Sequence, residues 1–131
     1  MLKKTIALGV VALAVLGSSA AYAYNYKFKF DMNTGLWHGA AYSSEAYKFT
    51  TDESPVVKVS TVESKVRMNF LVVNSEDEQR TDVFTTKTSG THLFENYGMA
   101  INKKYRLKAY TDDGSWYNTY NVTGAWNPDS Y

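Results

Sequence analysis

The chain has no cysteine and only two prolines among its 131 residues. The lack of cysteine excludes disulfide bonds, thiolate metal sites and thiol nucleophiles. An excess of either charge is also missing, because 12 Lys and Arg residues stand against 13 Asp and Glu residues once an N-terminal segment described below is set aside. A protein that binds nucleic acid electrostatically needs a basic face, so this balance argues against a nucleic-acid partner.

Most of the usual core residues are also scarce. Val, Leu, Ile and Phe supply 20 of the 108 residues in the range 24–131, a fraction typical of disordered chains when the net charge is high. Here the net charge is close to zero, and the same range holds 10 Tyr, 6 Phe and 3 Trp. Because each large ring buries roughly 150–250 Å², these residues can build the core of one small domain.

Residues 1–23 have the three parts of a secretory signal peptide. Lys3 and Lys4 form the positive start, residues 5–16 are uncharged, and Ala21 and Ala23 give a small-residue cleavage site. The uncharged run is too short for a membrane anchor, since a spanning helix needs about 20 apolar residues. We therefore expect cleavage after Ala23, with earlier alanines as alternatives, and secretion of a single domain, 24–131, without a transmembrane segment.

Polar and apolar residues alternate along this domain with the period of two that β-strands show. In residues 24–30 every even position is aromatic, which predicts a strand with one buried face. Further strands are predicted at 36–42, 45–50, 56–62, 66–73, 81–87, 91–97, 105–111 and 116–126, with a turn at 31–35. About eight short strands and little helix potential are typical of an all-β sandwich or barrel, and we expect an antiparallel β-sandwich.

Two of these strands carry the predicted core. The apolar face of residues 66–73 consists of Val66, Met68, Phe70 and Val72, and we expect this strand to be the most central. One face of residues 116–126 consists of Trp116, Tyr120, Val122 and Trp126. Because residues 112–115 have turn chemistry, we predict that 105–111 and 116–126 form a hairpin.

The end of the chain resembles a group of small exported proteins of Gram-positive bacteria that is catalogued only as a domain of unknown function. The resemblance rests on residues 105–109, which read YRLKA, and residues 120–129, which read YNVTGAWNPD. The signal peptide, the size and the lack of cysteine also fit that group. The resemblance implies an exported bacterial protein and supplies no catalytic residue.

A second, weaker resemblance begins at residues 35–39, which read GLWHG, and continues at residues 42–47, which read YSSEAY. This pattern is similar to the start of the lactococcin-type bacteriocins, which are secreted, cysteine-free, all-β proteins. The resemblance implies a bacteriocin-like effector, and it too supplies no catalytic residue.

The histidines and the acidic groups form no motif of a catalytic or metal site. His38 and His92 are the two histidines, and neither G-x-S-x-G nor H-E-x-x-H spacing is present. We interpret both as partly exposed structural residues. The carboxylates at 76–78 and 112–113 lie in predicted turns, where Asp is favoured by turn geometry. The sequence thus predicts a protein that is not an enzyme and has no metal and no cofactor.

The aromatic residues carry the functional prediction. Most of them are expected in the core, because aromatic side chains are favoured in strands. A period of two cannot bury both Trp116 and Tyr117, so we expect Tyr117 near solvent, with Tyr110 beside the same turn and Trp37 on an outer face. Tyr110, Tyr117 and Trp37 are therefore the candidate binding residues for a component of the cell envelope, which can be a glycan, a lipid headgroup or a protein.

Two functional classes remain. The first is a secreted, non-enzymatic interaction protein that acts at the bacterial cell envelope as a bacteriocin-like effector, an accessory factor or a self-protection factor. The second is a carbohydrate-binding or cell-wall-binding module that uses exposed aromatic residues. An enzyme is disfavoured because no catalytic constellation stands out from the composition.

Overall fold

The computed structural model describes residues 28–37, 39–51 and 53–129, which form two antiparallel β-sheets packed face to face. The predicted signal peptide, the start of the first predicted strand and His38 lie outside these residues. The strands in the described ranges are β1 (Phe28–Thr34), β2 (Ala41–Tyr42), β3 (Ala46–Tyr47), β4 (Val56–Val62), β5 (Met68–Asn74), β6 (Phe84–Thr86), β7 (Gly90–Leu93), β8 (Lys104–Thr111) and β9 (Tyr120–Asn127). A 3-10 turn, Glu63–Lys65, joins β4 to β5, and the described residues contain no α-helix.

The strand order defines a four-stranded and a five-stranded sheet within the described ranges. The four-stranded sheet has the order β1-β9-β4-β7. The five-stranded sheet has the order β2-β8-β5-β6, and β3 also pairs with β8. All of these pairs are antiparallel. The predicted all-β antiparallel sandwich is confirmed.

The inner faces of the two sheets meet in one apolar core. Phe70 is fully buried there, and its ring centroid lies 6.0 Å from that of Phe30 in the facing sheet and 6.4 Å from that of Phe84 on β6. Val122 and Trp126 of β9 point into the same core and are fully buried. The predicted core positions of Phe70, Val122 and Trp126 are confirmed.

Strand β5 is buried on both of its faces, as expected for a central strand. Leu71 and Val73 alternate with the core residues and so face outward, yet both are buried. The chain after β5 folds back beside them, because Gln79 bridges to Val73 and the amide of Arg80 donates to the carbonyl oxygen of Val72 at 2.9 Å.

The predicted hairpin between residues 105–111 and 116–126 is wrong. Strand β8 pairs with β5 on one side and with β2 and β3 on the other, whereas β9 pairs with β1 and β4. The inward residues of the two strands, such as Leu107 and Val122, instead belong to one core shared by the two sheets. Residues 112–119 therefore carry the chain from one sheet to the other rather than turning it back beside itself.

Several predicted strand boundaries are also wrong. Strand β1 runs through the predicted turn as far as Thr34, because Met32 and Thr34 continue the buried alternation. Strand β9 begins at Tyr120, so Trp116 lies in a loop and is exposed instead of joining the core. The strands predicted at 36–42, 45–50, 81–87 and 91–97 shorten to β2, β3, β6 and β7.

A buried ion pair holds the residues after β9. The ammonium of Lys48 lies 3.1 Å from Oδ1 of Asp129, and neither side chain is accessible to solvent beyond 1%. The ammonium also donates to the carbonyl oxygens of Glu53 and Pro128 at 2.7 and 2.8 Å. The carboxylate accepts amide hydrogen bonds from Phe49 and from residue 50, so both charges are paired and hydrogen-bonded as burial requires.

Candidate functional site

Two loops meet beside the start of β9 and bring three aromatic side chains together. The loop between β1 and β2 carries Trp37, and the loop between β8 and β9 carries Trp116 and Tyr117. The indole rings of Trp37 and Trp116 stack with their centroids 4.6 Å apart and their planes 6° from parallel. The ring of Tyr117 meets Trp116 edge-on at 6.2 Å. We call these three residues the aromatic cluster.

The aromatic cluster is largely open to solvent. The exposed fraction is 66% for Trp37, 58% for Trp116 and 65% for Tyr117. Stacking contributes about 0.5–1.5 kcal/mol beyond the area that it buries, which holds the rings together while their outer faces stay uncovered. Contiguous exposed apolar surface is a feature of interaction sites. Trp37 and Tyr117, two of the predicted binding residues, therefore lie in one patch.

Backbone contacts join the two loops in addition to the ring stacking. The amide of Trp37 donates to the carbonyl oxygen of Trp116 at 3.1 Å. Gly35 approaches the second loop so closely that a Cβ there would lie 2.2 Å from the carbonyl oxygen of Asn118. Gly39 donates its amide to the carbonyl oxygen of Gly35 at 2.9 Å and has a φ of +76°, which favours glycine. These contacts fix the backbone on which Trp37 is presented.

The second loop is shaped by Tyr120 and Asp113. The amide of Ser115 donates to the phenol oxygen of Tyr120 at 2.8 Å, and this bond holds the pKa of Tyr120 below its usual value. Asp113 accepts amide hydrogen bonds from Arg67 at 3.2 Å and from Gly114 at 2.9 Å, which lower the pKa of its carboxyl group. Gly114 has a φ of +86°, and a Cβ there would lie 2.6 Å from the hydroxyl oxygen of Tyr120.

Polar and charged groups lie along the loop that carries Trp116. Arg67 forms an ion pair with Asp112 at 2.9 Å, and both side chains are about half exposed. The amide of Arg67 also donates to Asp113 of this loop, and the charge of Lys87 helps to lower the pKa of the same carboxyl group. The site thus combines flat apolar rings with hydrogen-bonding groups.

Tyr110, the third predicted binding residue, is not part of the aromatic cluster. It is half-buried and lines a cavity of about 420 Å³ on the outer face of the five-stranded sheet. Leu71 and Val73 also line this cavity, together with Lys108 and Asp77. The ammonium of Lys108 lies 3.2 Å from the carboxylate of Asp77. The structure therefore separates Tyr110 from the two other predicted binding residues.

Trp116 is the cluster residue that the alternation of residues 116–126 predicts in the core. The assignment followed from its even spacing with Tyr120, but the strand begins only at Tyr120. The signal that favours a loop is the composition of residues 112–119, which read DDGSWYNT. Asp, Gly, Ser and Asn are turn residues, and they surround the Trp-Tyr pair on both sides.

The second histidine, His92, lies between a carboxylate and two aromatic rings. Its Nε2 lies 2.9 Å from Oδ2 of Asp82, and its ring stacks on Phe84 at 4.9 Å and meets Phe94 edge-on at 5.0 Å. The other oxygen of Asp82 accepts the amide of Glu95 at 2.7 Å. The side chain of His92 is 29% exposed, as expected for a partly exposed structural residue. Within the described ranges, no hydroxyl nucleophile is hydrogen-bonded to this pair.

In the part of the chain that the structure describes, no group of three or more His, Asp or Glu side chains could hold a metal ion. No helix among those residues is long and apolar enough to cross a membrane.

No protein-family model, no curated protein and no solved structure matches this chain.

Proposed function

We propose that this protein is secreted and binds a glycan of the bacterial cell envelope, without catalysing a reaction, through the aromatic cluster. The proposal is carried by the exposure of Trp37, Trp116 and Tyr117 as one patch on two joined loops. Secretion is inferred from the signal-peptide pattern of residues 1–23. The non-enzymatic role is inferred from the lack of a catalytic motif in the sequence.

The geometry of the rings favours a sugar over a lipid headgroup. The outer indole faces are flat and apolar, which suits the C–H face of a pyranose, and the nearby hydroxyl, amide and carboxylate groups suit its hydroxyls. Interfacial membrane sites combine aromatic residues with several Lys and Arg residues. Of the two cations that act on Asp113 in the loop that carries Trp116, Arg67 is already paired with Asp112, which leaves Lys87.

The contacts between the two loops support the same proposal. Binding costs less free energy when the contact residues are already ordered. Trp37 and Trp116 are held by a backbone hydrogen bond of 3.1 Å and by ring stacking before any ligand arrives. The aromatic cluster is therefore a preformed surface rather than a set of independent side chains.

The test is retention of the purified protein on isolated cell walls from which the phosphate-containing polymers have been extracted. We expect the parent to be retained and the variant Trp37→Ala/Tyr117→Ala to be lost to the supernatant, because two rings of the patch are removed. The matched control is Tyr97→Ala, which removes an exposed ring outside the aromatic cluster and should be retained like the parent. Equal retention of the parent and the folded double variant would refute the proposed site.

A bacteriocin-like effector is the second candidate. It is favoured by one observation, because the segment 35–39 that resembles the lactococcin-type bacteriocins is the loop that presents Trp37. Growth inhibition of neighbouring strains by the purified protein would support an effector. Retention on walls without growth inhibition would support a wall-binding module instead.

A further inference from the structure

A cleft of about 440 Å³ opens beside the start of β8, at the opposite end of that strand from the aromatic cluster. Three of the residues that line it are basic, namely Arg80, Lys103 and Lys104, and one is acidic, Glu76. The cleft therefore presents an excess of positive charge in a recess that is large enough for a chain segment or a small anion.

The two lysines of this cleft are not neutralised by neighbours. In the described part of the chain, neither Lys103 nor Lys104 has a carboxylate at salt-bridge distance. Arg80 differs from them, because its guanidinium pairs with Glu78 at 3.0 Å. The ammonium of Lys104 lies 5.3 Å from the ring centroid of Tyr47, a cation–π contact that orients the side chain and leaves its charge in place.

The backbone beneath these cations is fixed by long-range hydrogen bonds. The carbonyl oxygen of Lys103 accepts the amide of Lys48 at 3.0 Å, and the amide of Asn102 donates to the carbonyl oxygen of Lys48 at 2.7 Å. The amide of Arg80 donates to the carbonyl oxygen of Val72 at 2.9 Å. A charged site on ordered backbone loses less entropy when a ligand binds.

Further cations continue from the cleft along the outer face of β8. Lys104, Arg106 and Lys108 alternate with buried residues, so they recur about every 6.6 Å along the strand. Tyr42 packs against this row, with its ring centroid 4.2 Å from the Arg106 guanidinium. Lys108 is paired with Asp77 at 3.2 Å, so the free positive charge concentrates at the end where the cleft lies.

We infer that this cleft binds the phosphate groups of a linear envelope polyanion, a polymer with one phosphodiester per repeat. Several cations in and beside the cleft suit a ligand with repeated charges better than a single small anion, and a concave cleft suits a chain better than a flat lipid surface. The site is separate from the aromatic cluster, because Lys104 and Thr111 mark opposite ends of β8 and lie about 23 Å apart at the rise of a strand.

The test measures the affinity of the purified protein for poly(glycerol phosphate) by titration calorimetry at several salt concentrations. Each lysine at an anionic surface contributes about five-fold in affinity, so Lys103→Ala/Lys104→Ala should bind about 30-fold more weakly. The slope of log affinity against log salt should also become shallower by about 1.5, since two fewer phosphates are neutralised. The matched control Lys58→Ala/Lys87→Ala removes the same charge from exposed positions elsewhere and should bind like the parent.

Four results would overturn the inferred site. They are equal losses in the two double variants, absence of binding by the parent, preference of the parent for anionic phospholipid vesicles over the polymer, and loss of polymer binding in Trp37→Ala/Tyr117→Ala with retention in the lysine variant. Thermal denaturation checks that each variant is folded. The variant Lys103→Gln/Lys104→Gln, which keeps long polar side chains, should show the same loss as the alanine variant.

Discussion

Strand β9 is flanked by two regions that arrange charge and aromatic surface in opposite ways. After the strand ends at Asn127, Asp129 and its partner Lys48 are almost completely buried as an ion pair. Before the strand begins at Tyr120, Trp116 and Tyr117 are exposed by more than half of their surface. Large rings usually enter the core and charges usually stay outside, so both regions depart from the common distribution.

This difference in burial distinguishes residues that stabilise the fold from residues that are available for binding. A buried charge is tolerated only when it is paired and hydrogen-bonded, and the Lys48 ammonium has three oxygen partners. An exposed ring adds little to folding because it removes little area from water. We therefore expect substitutions at the buried ion pair to change stability, and substitutions in the aromatic cluster to change binding.

The largest expected effect follows from removing the buried ammonium. Lys48→Met leaves the Asp129 carboxylate buried without its cation, and such broken pairs cost about 3–5 kcal/mol. Urea denaturation measures the loss, and Lys58→Met is the control because Lys58 is exposed on β4. A loss below about 1 kcal/mol, the range of surface pairs, would mean that this end of β9 is not held by the ion pair.

Phe70→Ala should lower the free energy of unfolding by a similar amount through the loss of apolar packing. Phe70 is fully buried between Phe30 and Phe84, so its truncation should cost about 3–5 kcal/mol through lost burial and a residual cavity. The same urea denaturation compares it directly with Lys48→Met. A nearly unchanged unfolding midpoint would contradict the position of Phe70 in the core.

Trp116→Ala should separate an effect on binding from an effect on stability. The substitution removes the stacking on Trp37, which contributes about 0.5–1.5 kcal/mol, so the free energy of unfolding should fall by about 1 kcal/mol. Retention on cell walls without phosphate-containing polymers should be lost in the same variant. Circular dichroism in the ultraviolet reports the coupled indoles directly, and the signal of the stacked pair should disappear. A variant that loses several kcal/mol would show that the ring is structural.

The smallest expected effect concerns pH and Asp113. Hydrogen bonds from the amides of Arg67 and Gly114 lower the pKa of this carboxyl group in the folded protein. A lowered pKa means that the ionised carboxylate stabilises the loop above its ordinary pKa, and that this contribution is lost as the pH falls through the folded pKa. The stability difference between the parent and Asp113→Asn should therefore be constant near neutral pH and shrink in acid. A difference that does not vary with pH would contradict this role.

Part of the candidate site could be predicted from the sequence, and part could not. Tyr117 was expected near solvent because two adjacent residues cannot both face the core, and it is 65% exposed. Trp116 was assigned to the core because alternation alone does not tell where a strand begins. The contact between Trp37 and Trp116 joins residues almost 80 positions apart, and local patterns contain no information about such a pair.

The secondary structure class and much of the core follow from the order of the amino acids alone. The β-branched residues of 56–62 predicted β4. The alternation of residues 66–73 predicted β5, and the buried position of Phe70 followed from it. This works because the period of side chains along a strand is a local property of the backbone.

The choice of neighbouring strands and the burial of polar groups depend instead on the packing of the two sheets. The turn residues at 112–115 favoured a hairpin, yet β8 and β9 lie in different sheets, since each is already paired on both of its edges. Lys48 and Asp129 look like ordinary surface charges in the sequence, and they pair only because the fold brings the end of β9 against the segment after β3. Strand pairing and burial of charge depend on contacts between distant residues, and those contacts exist only once the two sheets have packed together.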